Sequence, residues 1–207
     1  MTAPSGQRPP GERREWARNA LIESRLTPNA ISLTGIALVV IGAVFIWLDQ
    51  LIIGGIAFAV GSIFDTLDGR YSRMSGKGTD FGAFLDSTLD RLGEGLALFA
   101  AAYVFAADGQ SVNAALCTFA VLASVMVSYT RARAEALGAD AKVGFGSRPT
   151  RVVILSTGII LAGLIGHDDP VNALSISVWI LGAIGTVTTI QRIAHVRRVL
   201  NEPLGEV

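Results

Sequence analysis

Six apolar stretches, at 30–48, 51–73, 82–107, 112–134, 150–165 and 173–196, approach the roughly 20 residues that carry a helix across the hydrocarbon of a bilayer. Blocks of this kind leave a chain little choice. No water is present in hydrocarbon to satisfy a stray N–H or C=O, so each block must close its backbone hydrogen bonds internally, as a helix. Hydrophobic residues make up 51% of the 207, and no shift in composition marks a second core. The expected fold is all-α: a polytopic membrane protein with six transmembrane helices forming one domain over 30–198, between an N-terminal segment at 1–29 and a tail at 199–207.

The N-terminal segment divides in two. MTAPSGQRPPGERREW lacks the apolar centre of a secretory signal and reads as a disordered lead, which leaves targeting to the first spanning helix. ERREWARNALIESRL then alternates charged residues with Trp16, Ala17, Ala20, Leu21, Ile22 and Leu26. That pattern suits an amphipathic helix lying in the interface, its arginines reaching anionic lipid. Cys117, the single cysteine, sits inside an apolar block, so no intrachain disulfide is possible and a packing role is expected.

Net charge is zero, but the charges are unevenly placed. The connections around Asp49 and Gln50, AADGQSVN, and GHDDPVN hold Asp49, Asp108, Asp168 and Asp169 without a Lys or Arg, while the basic residues gather toward the other ends of the helices. Cytoplasmic connections retain Lys and Arg. The expected orientation is therefore a multi-pass protein of the cell (inner) membrane with both termini cytoplasmic. Nothing in this arrangement points to nucleic acid.

Against that apolar background stand four aspartates. Asp65 and Asp68 are three apart near the end of the second stretch, and Asp86 and Asp90 are four apart near the start of the third. On helices each pair shares a face. Bare carboxylates so placed would repel, and a charge near the bilayer centre costs roughly 2.5–3.5 kcal/mol even on insertion scales. One or two divalent cations would remove that penalty, and all-oxygen ligands favour Mg²⁺ first and Mn²⁺ second. Gly69, Gly76, Gly78 and Gly82 leave room for close approach, and Arg73 and Lys77 supply charge for phosphate oxygens. Metal, glycine and arginine together describe a phosphoryl-transfer site, in which two ions would clamp the attacking and leaving oxygens.

From Asp65 to Asp90 the chain reads D-x2-D-G-x2-S-R-x8-G-x3-D-x3-D. This resembles the signature of the CDP-alcohol phosphotransferase family, matching seven of its eight fixed positions over 26 residues, with Ser72 where the family has alanine. The resemblance implies a six-helix membrane enzyme, commonly a homodimer, that displaces CMP from a CDP-linked lipid by an alcohol. It implies that Asp65, Asp68 and Asp86 bind two ions, and that Asp90 contacts the second ion and takes the proton of the acceptor hydroxyl. It further implies that Gly69, Arg73 and Thr79, with Asn29, Ala30, Ile31 and Ser32 of LTPNAIS, hold the CDP-lipid. Read alone, Thr27 and Asn29 about Pro28 make an ordinary helix start.

The acceptor is addressed by SYTRARAEALGADAKVGFGSRPTR and QRIAHVRR. Arg197, Arg198 and Lys142 suit an orientation signal and headgroup contact. Arg192 lies a turn deeper, and Arg148 and Arg151 bracket Pro149 at a helix start where free N–H groups favour an anion. SYTRARAEALG, SRPTR and QR are similar to the actinobacterial branch of the family whose acceptor is inositol phosphate, which implies an acceptor phosphate pocket of Arg131, Arg133, Arg151 and Arg192. Residues two apart on a helix point in nearly opposite directions, so either the long side chains of Arg131 and Arg133 wrap round to share one phosphate or one of them serves the nucleotide side. Glu94, one turn beyond Asp90, suits a hydrogen bond to the groups around the metal site or one between packed helices; His195 reads as interfacial, and His167 belongs to the opposite side.

The expected reaction joins CDP-diacylglycerol and inositol phosphate, giving phosphatidylinositol phosphate and CMP. Glycerol 3-phosphate is the alternative acceptor. A small ion transporter also needs intramembrane acids, but would continue its polar residues toward the outer face, where helices two and three are apolar. A non-catalytic scaffold explains the helices and leaves the spaced aspartates without a reason.

Overall fold

The computed structural model describes residues 28–75 and 79–201 and, within them, the side chains of residues 30, 32–64 and 79–201. The amphipathic helix expected before the first span, Gly76, Lys77 and Gly78 of the linker, and the last six residues lie outside the described residues. Six helices account for what is described: α1 Pro28–Trp47, α2 Leu51–Ser75, α3 Asp80–Ala107, α4 Ser111–Ala136, α5 Arg148–Ile165 and α6 Ala173–Asn201. No strand occurs among the described residues.

Short turns join α1 to α2, α3 to α4, and α5 to α6 at one end of the bundle, here called the far end. Asp49 makes the first turn with a positive φ of 61°, a conformation that Asp tolerates better than most residues. At the opposite end, Thr79 caps α3 by accepting a hydrogen bond from the Gly82 N–H at 3.0 Å. Asn172 and Ser175 cap α6 reciprocally, each accepting the other's backbone N–H at 2.9 Å.

In packing order the helices form a ring, α1 to α2, α2 to α5, α5 to α6, α6 to α4, α4 to α3 and α3 back to α1. Its centre is apolar, with Ile46, Phe58, Leu98, Phe105, Leu155, Ile159 and Leu181 fully buried. Much of the outside is apolar too: Ile41, Val44, Val153, Leu164, Ile190 and Ile193 are all exposed. A surface of that kind suits lipid, where helices associate by close packing of small residues. The α1–α2 contact shows it. A side chain on Gly61 would meet the Gly35 carbonyl at 2.7 Å, and one on Gly54 the Ile46 nitrogen at 2.8 Å.

Among the described residues three helices, α4, α5 and α6, are long and apolar enough to cross a membrane. Shorter apolar segments run over Ser32–Trp47 and Leu51–Phe64. α3 carries Asp86, Asp90, Arg91 and Glu94 in its first half, and that interruption is the site.

Candidate active site

A cavity of about 710 Å³ opens at the end of the bundle opposite the short turns, between the first half of α3, the last turns of α4, the start of α5 and the Arg192 level of α6. α3 contributes Asp86, Asp90, Arg91 and Glu94 to its wall, all on one side of the helix by their spacing. α4 contributes Arg131 and Glu135, α5 contributes Arg148 and Arg151, and α6 contributes Arg192.

The two carboxylates of the motif on α3 stand together. Arg148, the first residue of α5, reaches Asp90 with Nη2 2.5 Å from Oδ1. A charge pair this close, and mostly withdrawn from water, holds the mouth of α5 against α3. Deeper in, Glu94 is 6% exposed and Arg151 4%. Arg151 donates from Nε to Glu94 Oε1 at 2.8 Å and from Nη2 to Oε2 at 3.0 Å, a bidentate pair, while the Ser124 hydroxyl donates to Oε1 at 2.7 Å.

The loop between α4 and α5 is fastened to α6. Thr188 Oγ1 accepts from the Gly146 N–H at 2.9 Å, and Arg192 donates from Nε to the Val143 carbonyl at 3.0 Å and from Nη1 to the Val127 carbonyl. Arg151 Nη1 donates to the Gly146 carbonyl at 2.6 Å. These bonds set where Ser147, Arg148 and the first turn of α5 face the cavity. Near the rim, Arg131 donates to Glu135, one turn on, at 2.8 Å, and both remain about half exposed.

Of the four arginines expected around an acceptor phosphate, Arg131, Arg151 and Arg192 come together here. Arg133 is exposed and is not among the residues lining the cavity, since two residues along a helix turn it nearly to the other side. The cavity also takes in two arginines outside that set of four, Arg91 beside Asp90 and Arg148. The second had a signal, its place before Pro149 at a helix start. His195 stands off the cavity, its Nε2 3.1 Å from the Asp140 carbonyl.

Among the residues expected to hold the CDP-lipid, Ser32 is buried on α1 and Ala30 is exposed at its start. Thr79 serves as the cap of α3. Asn29 and Ile31 lie on α1, and Asp65, Asp68, Gly69 and Arg73 on the last turns of α2, with side chains outside the described residues.

The donor set fits a hard divalent cation. Asp86 and Asp90 present oxygen ligands on one wall of the cavity, and Asp65 and Asp68 lie on the last turns of α2, the helix that precedes α3 along the chain. Among the described residues no three acidic, His or Cys side chains form a metal site by themselves. The carboxylates of α2 would have to complete it.

Comparison with known proteins agrees with this fold. The sequence model of the CDP-alcohol phosphatidyltransferase family matches residues 25–191. The chain is 39% identical over 181 residues to the phosphatidylinositol phosphate synthase of Mycolicibacterium smegmatis, covering 86% of this chain and 81% of the relative. It is 34% identical over 176 residues to the archaetidylinositol phosphate synthase of Pyrococcus horikoshii, covering 84% and 86%. Among solved structures, the phosphatidylinositol phosphate synthase of Mycobacterium tuberculosis with CDP-DAG bound superposes with a TM-score of 0.76 at 29% identity, covering 87% of this chain and 91% of that one. The same enzyme in complex with manganese and citrate gives a TM-score of 0.76 at 30% identity, covering 87% of each chain. A match along most of the chain, in sequence and in fold, joins the aspartate pattern and its cavity in one conclusion: this chain belongs to the CDP-alcohol phosphatidyltransferase family.

Proposed function

We propose that this chain transfers a phosphatidyl group from CDP-diacylglycerol to inositol phosphate, releasing CMP and giving phosphatidylinositol phosphate. The observation that carries this reading is the cavity itself, whose walls bring the carboxylates Asp86 and Asp90 together with Arg131, Arg148, Arg151 and Arg192 around a space large enough for a phosphorylated alcohol. Carboxylates with oxygen-only chemistry suit a metal-held pyrophosphate, and the arginines suit a second phosphate brought by the acceptor. The names of the relatives in bacteria and in an archaeon share an inositol phosphate product, which supports the same acceptor here.

In this reading Asp65, Asp68, Asp86 and Asp90 hold two divalent ions, Mg²⁺ or Mn²⁺. When bound, the ions neutralise the pyrophosphate and make the acceptor hydroxyl more acidic. Asn29, Ala30, Ile31, Ser32, Gly69, Arg73 and Thr79 hold the CDP-lipid. Arg131, Arg151 and Arg192 receive the acceptor phosphate, with Arg148 at the mouth and Arg133 on the flank of α4. Asp90 takes the proton of the acceptor hydroxyl, whose oxygen attacks the phosphorus attached to diacylglycerol. The bond to CMP breaks, and CMP leaves with the electron pair.

The chain works in this reading as a homodimer with six transmembrane helices in the cell (inner) membrane, its cavity and termini on the cytoplasmic side. The basic residues at the cavity end and the Lys- and Arg-free turns at the far end support that orientation. An ion-transport reading meets an apolar floor: below Glu94 the bundle is closed by Ala97, Leu98, Ala101 and Phe105, all fully buried.

Purified protein with Mg²⁺, CDP-diacylglycerol and inositol phosphate should release CMP, and Asp90→Asn should lower the rate by about 10²–10⁴-fold, the range for loss of a general base. Better use of phosphate-free inositol or glycerol 3-phosphate would overturn the acceptor assignment. Ion flux through liposomes without CMP release would overturn the enzyme.

A further inference from the structure

Among the described residues, Glu94 is the one deep carboxylate of the cavity that lies outside the aspartate motif. It sits one turn beyond Asp90 on α3 and is withdrawn from water, so its place needs a reason. Stability alone is a poor one. A buried ion pair loses in desolvation much of what it gains by attraction, and apolar side chains of equal volume often pack as well or better. The geometry of its partner supplies the reason.

Arg151 has five N–H groups in one plane. Two go to Glu94 as a bidentate fork, and a third, on Nη1, goes to the Gly146 carbonyl at 2.6 Å. With three bonds made in different directions the guanidinium plane is fixed, and the two remaining N–H groups, one on each terminal nitrogen, are fixed with it. Ser124 of α4 donates to Oε1 of the same carboxylate at 2.7 Å, so Glu94 cannot turn away. One carboxylate thus ties α3, which carries Asp86 and Asp90, to α4 and to the start of α5.

We propose that Glu94 is a positioning residue for the acceptor. It orients Arg151 so that the uncommitted edge of the guanidinium meets the acceptor phosphate, and it sets the spacing between that phosphate and Asp90. The proposal rests on the reading of the cavity as a site for a phosphorylated alcohol. Because Glu94 acts through Arg151, its loss falls on the acceptor and spares the CDP-lipid, which is the pattern a merely structural ion pair would not give.

The test is steady-state CMP release by wild type, Glu94→Gln, Glu94→Asp and Ser124→Ala, with inositol phosphate and CDP-diacylglycerol varied separately and inorganic phosphate used as a competitor. The amide of Glu94→Gln keeps one acceptor oxygen and turns an NH₂ group against the fork. It should raise KM for inositol phosphate about tenfold, equal to about 1.4 kcal/mol of binding, with KM for CDP-diacylglycerol within about twofold. Inhibition by inorganic phosphate should weaken in parallel. Glu94→Asp should recover part of the loss, and Ser124→Ala should move the same constant by a smaller factor.

Equal changes in both KM values, or a fall in kcat with the acceptor KM and phosphate inhibition unchanged, would overturn the role of Glu94. Should Glu94→Gln fail to fold, Ser124→Ala decides by the same split. A wild type that prefers glycerol 3-phosphate would overturn the choice of acceptor, and the Glu94 series is then read with that acceptor. A wild type indifferent to whether its acceptor carries a phosphate would overturn the reading of the cavity.

Discussion

The two ends of this bundle are built from different chemistry. At the far end, neutral amides do most of the joining. Gln110 donates to the His167 and Asp168 carbonyls, Asn113 to Gln110 and the Pro170 carbonyl, and Asn172 to the His167 and Asp169 carbonyls, all between 2.7 and 3.2 Å. Trp47 stacks on Tyr103 with ring centroids 3.9 Å apart beside the same turns. The cavity end instead uses ions, and among the described residues the lining arginines Arg91, Arg131, Arg148, Arg151 and Arg192 outnumber the lining carboxylates Asp86, Asp90, Glu94 and Glu135. A closed network of amides and carbonyls makes a firm joint and has little left to offer a ligand. Ionic groups held at a cavity wall are costly to keep, and they are what a phosphate or a metal needs.

The strongest way to break this comparison is to remove a cation from the buried part of the cavity end. Arg151→Ala leaves Glu94 without its bidentate partner in a place closed to water. Breaking a buried ion pair from one side costs about 3–5 kcal/mol, so thermal unfolding in detergent should show a large fall in midpoint together with loss of transfer. A paired replacement, Glu94→Leu with Arg151→Met, should regain most of the stability and none of the activity. If it regained both, the ions would be structural ornament of the bundle.

Arg131 and Arg133 sharpen the comparison within one helix. Arg131 lines the cavity and Arg133 faces away from it, both exposed. Arg131→Ala should weaken acceptor binding by about 1 kcal/mol, roughly fivefold in KM after discounting for its solvent exposure and its existing bond to Glu135, and Arg133→Ala should leave KM unchanged. Equal effects would mean that α4 turns or unwinds when the acceptor binds.

How much of this was legible beforehand follows the range of the interactions. Apolar blocks revealed the six helices because a long apolar run favours a segment that closes its own backbone hydrogen bonds, and their limits were off by a few residues where polar groups blur the boundary. α5 begins at Arg148, two residues before the apolar run at Thr150, because Ser147 and Pro149 start it; α6 continues past Arg197 and Arg198 to Asn201, since charge does not end a helix that has left the bilayer core. The shared face of Asp86 and Asp90 was legible because i to i+4 spacing is itself geometry. The partner of Glu94 was not, because Arg151 is 57 residues away and only the ring of helices brings it near. Nor could spacing alone say which of Arg131 and Arg133 faces inward, as that depends on where α4 meets α3 and α6.

At the far end the expected effects are smaller and of another kind. His167 lies between Asp49 and Asp108, with Nε2 3.0 Å from one carboxylate and Nδ1 2.9 Å from the other, and so ties together three turns. Asp49 is 60% exposed, so most of the benefit lies in the Asp108 contact. His167→Ala should lower stability by about 1 kcal/mol, a few degrees in midpoint, with kcat/KM for both substrates unchanged. A loss of activity without a loss of stability would show that the far end communicates with the cavity, and the division between the two ends would fail.

The smallest effect belongs to a charge at the cavity end that lies outside the cavity. Asp140, in the loop before α5, is held below the ordinary carboxylate range first by the backbone N–H of Lys142 and then by its ammonium group. A carboxylate with a lowered folded value contributes stability above its unfolded value of about 3.9, and that contribution disappears as pH falls through the folded value. The pair is two-thirds exposed, so water and salt screen nearly all of it. Wild type and Asp140→Asn should therefore unfold within about 1 °C of each other at pH 7, and any gap should close as the solution is acidified below the carboxylate range. A gap of several degrees at neutral pH would mean that this loop depends on its surface charges rather than on Thr188 and Arg192, which grip it from α6. Ionic groups would then be holding the cavity end together as well as preparing it for ligand, a division of labour that the buried bonds to Gly146 and Val143 argue against.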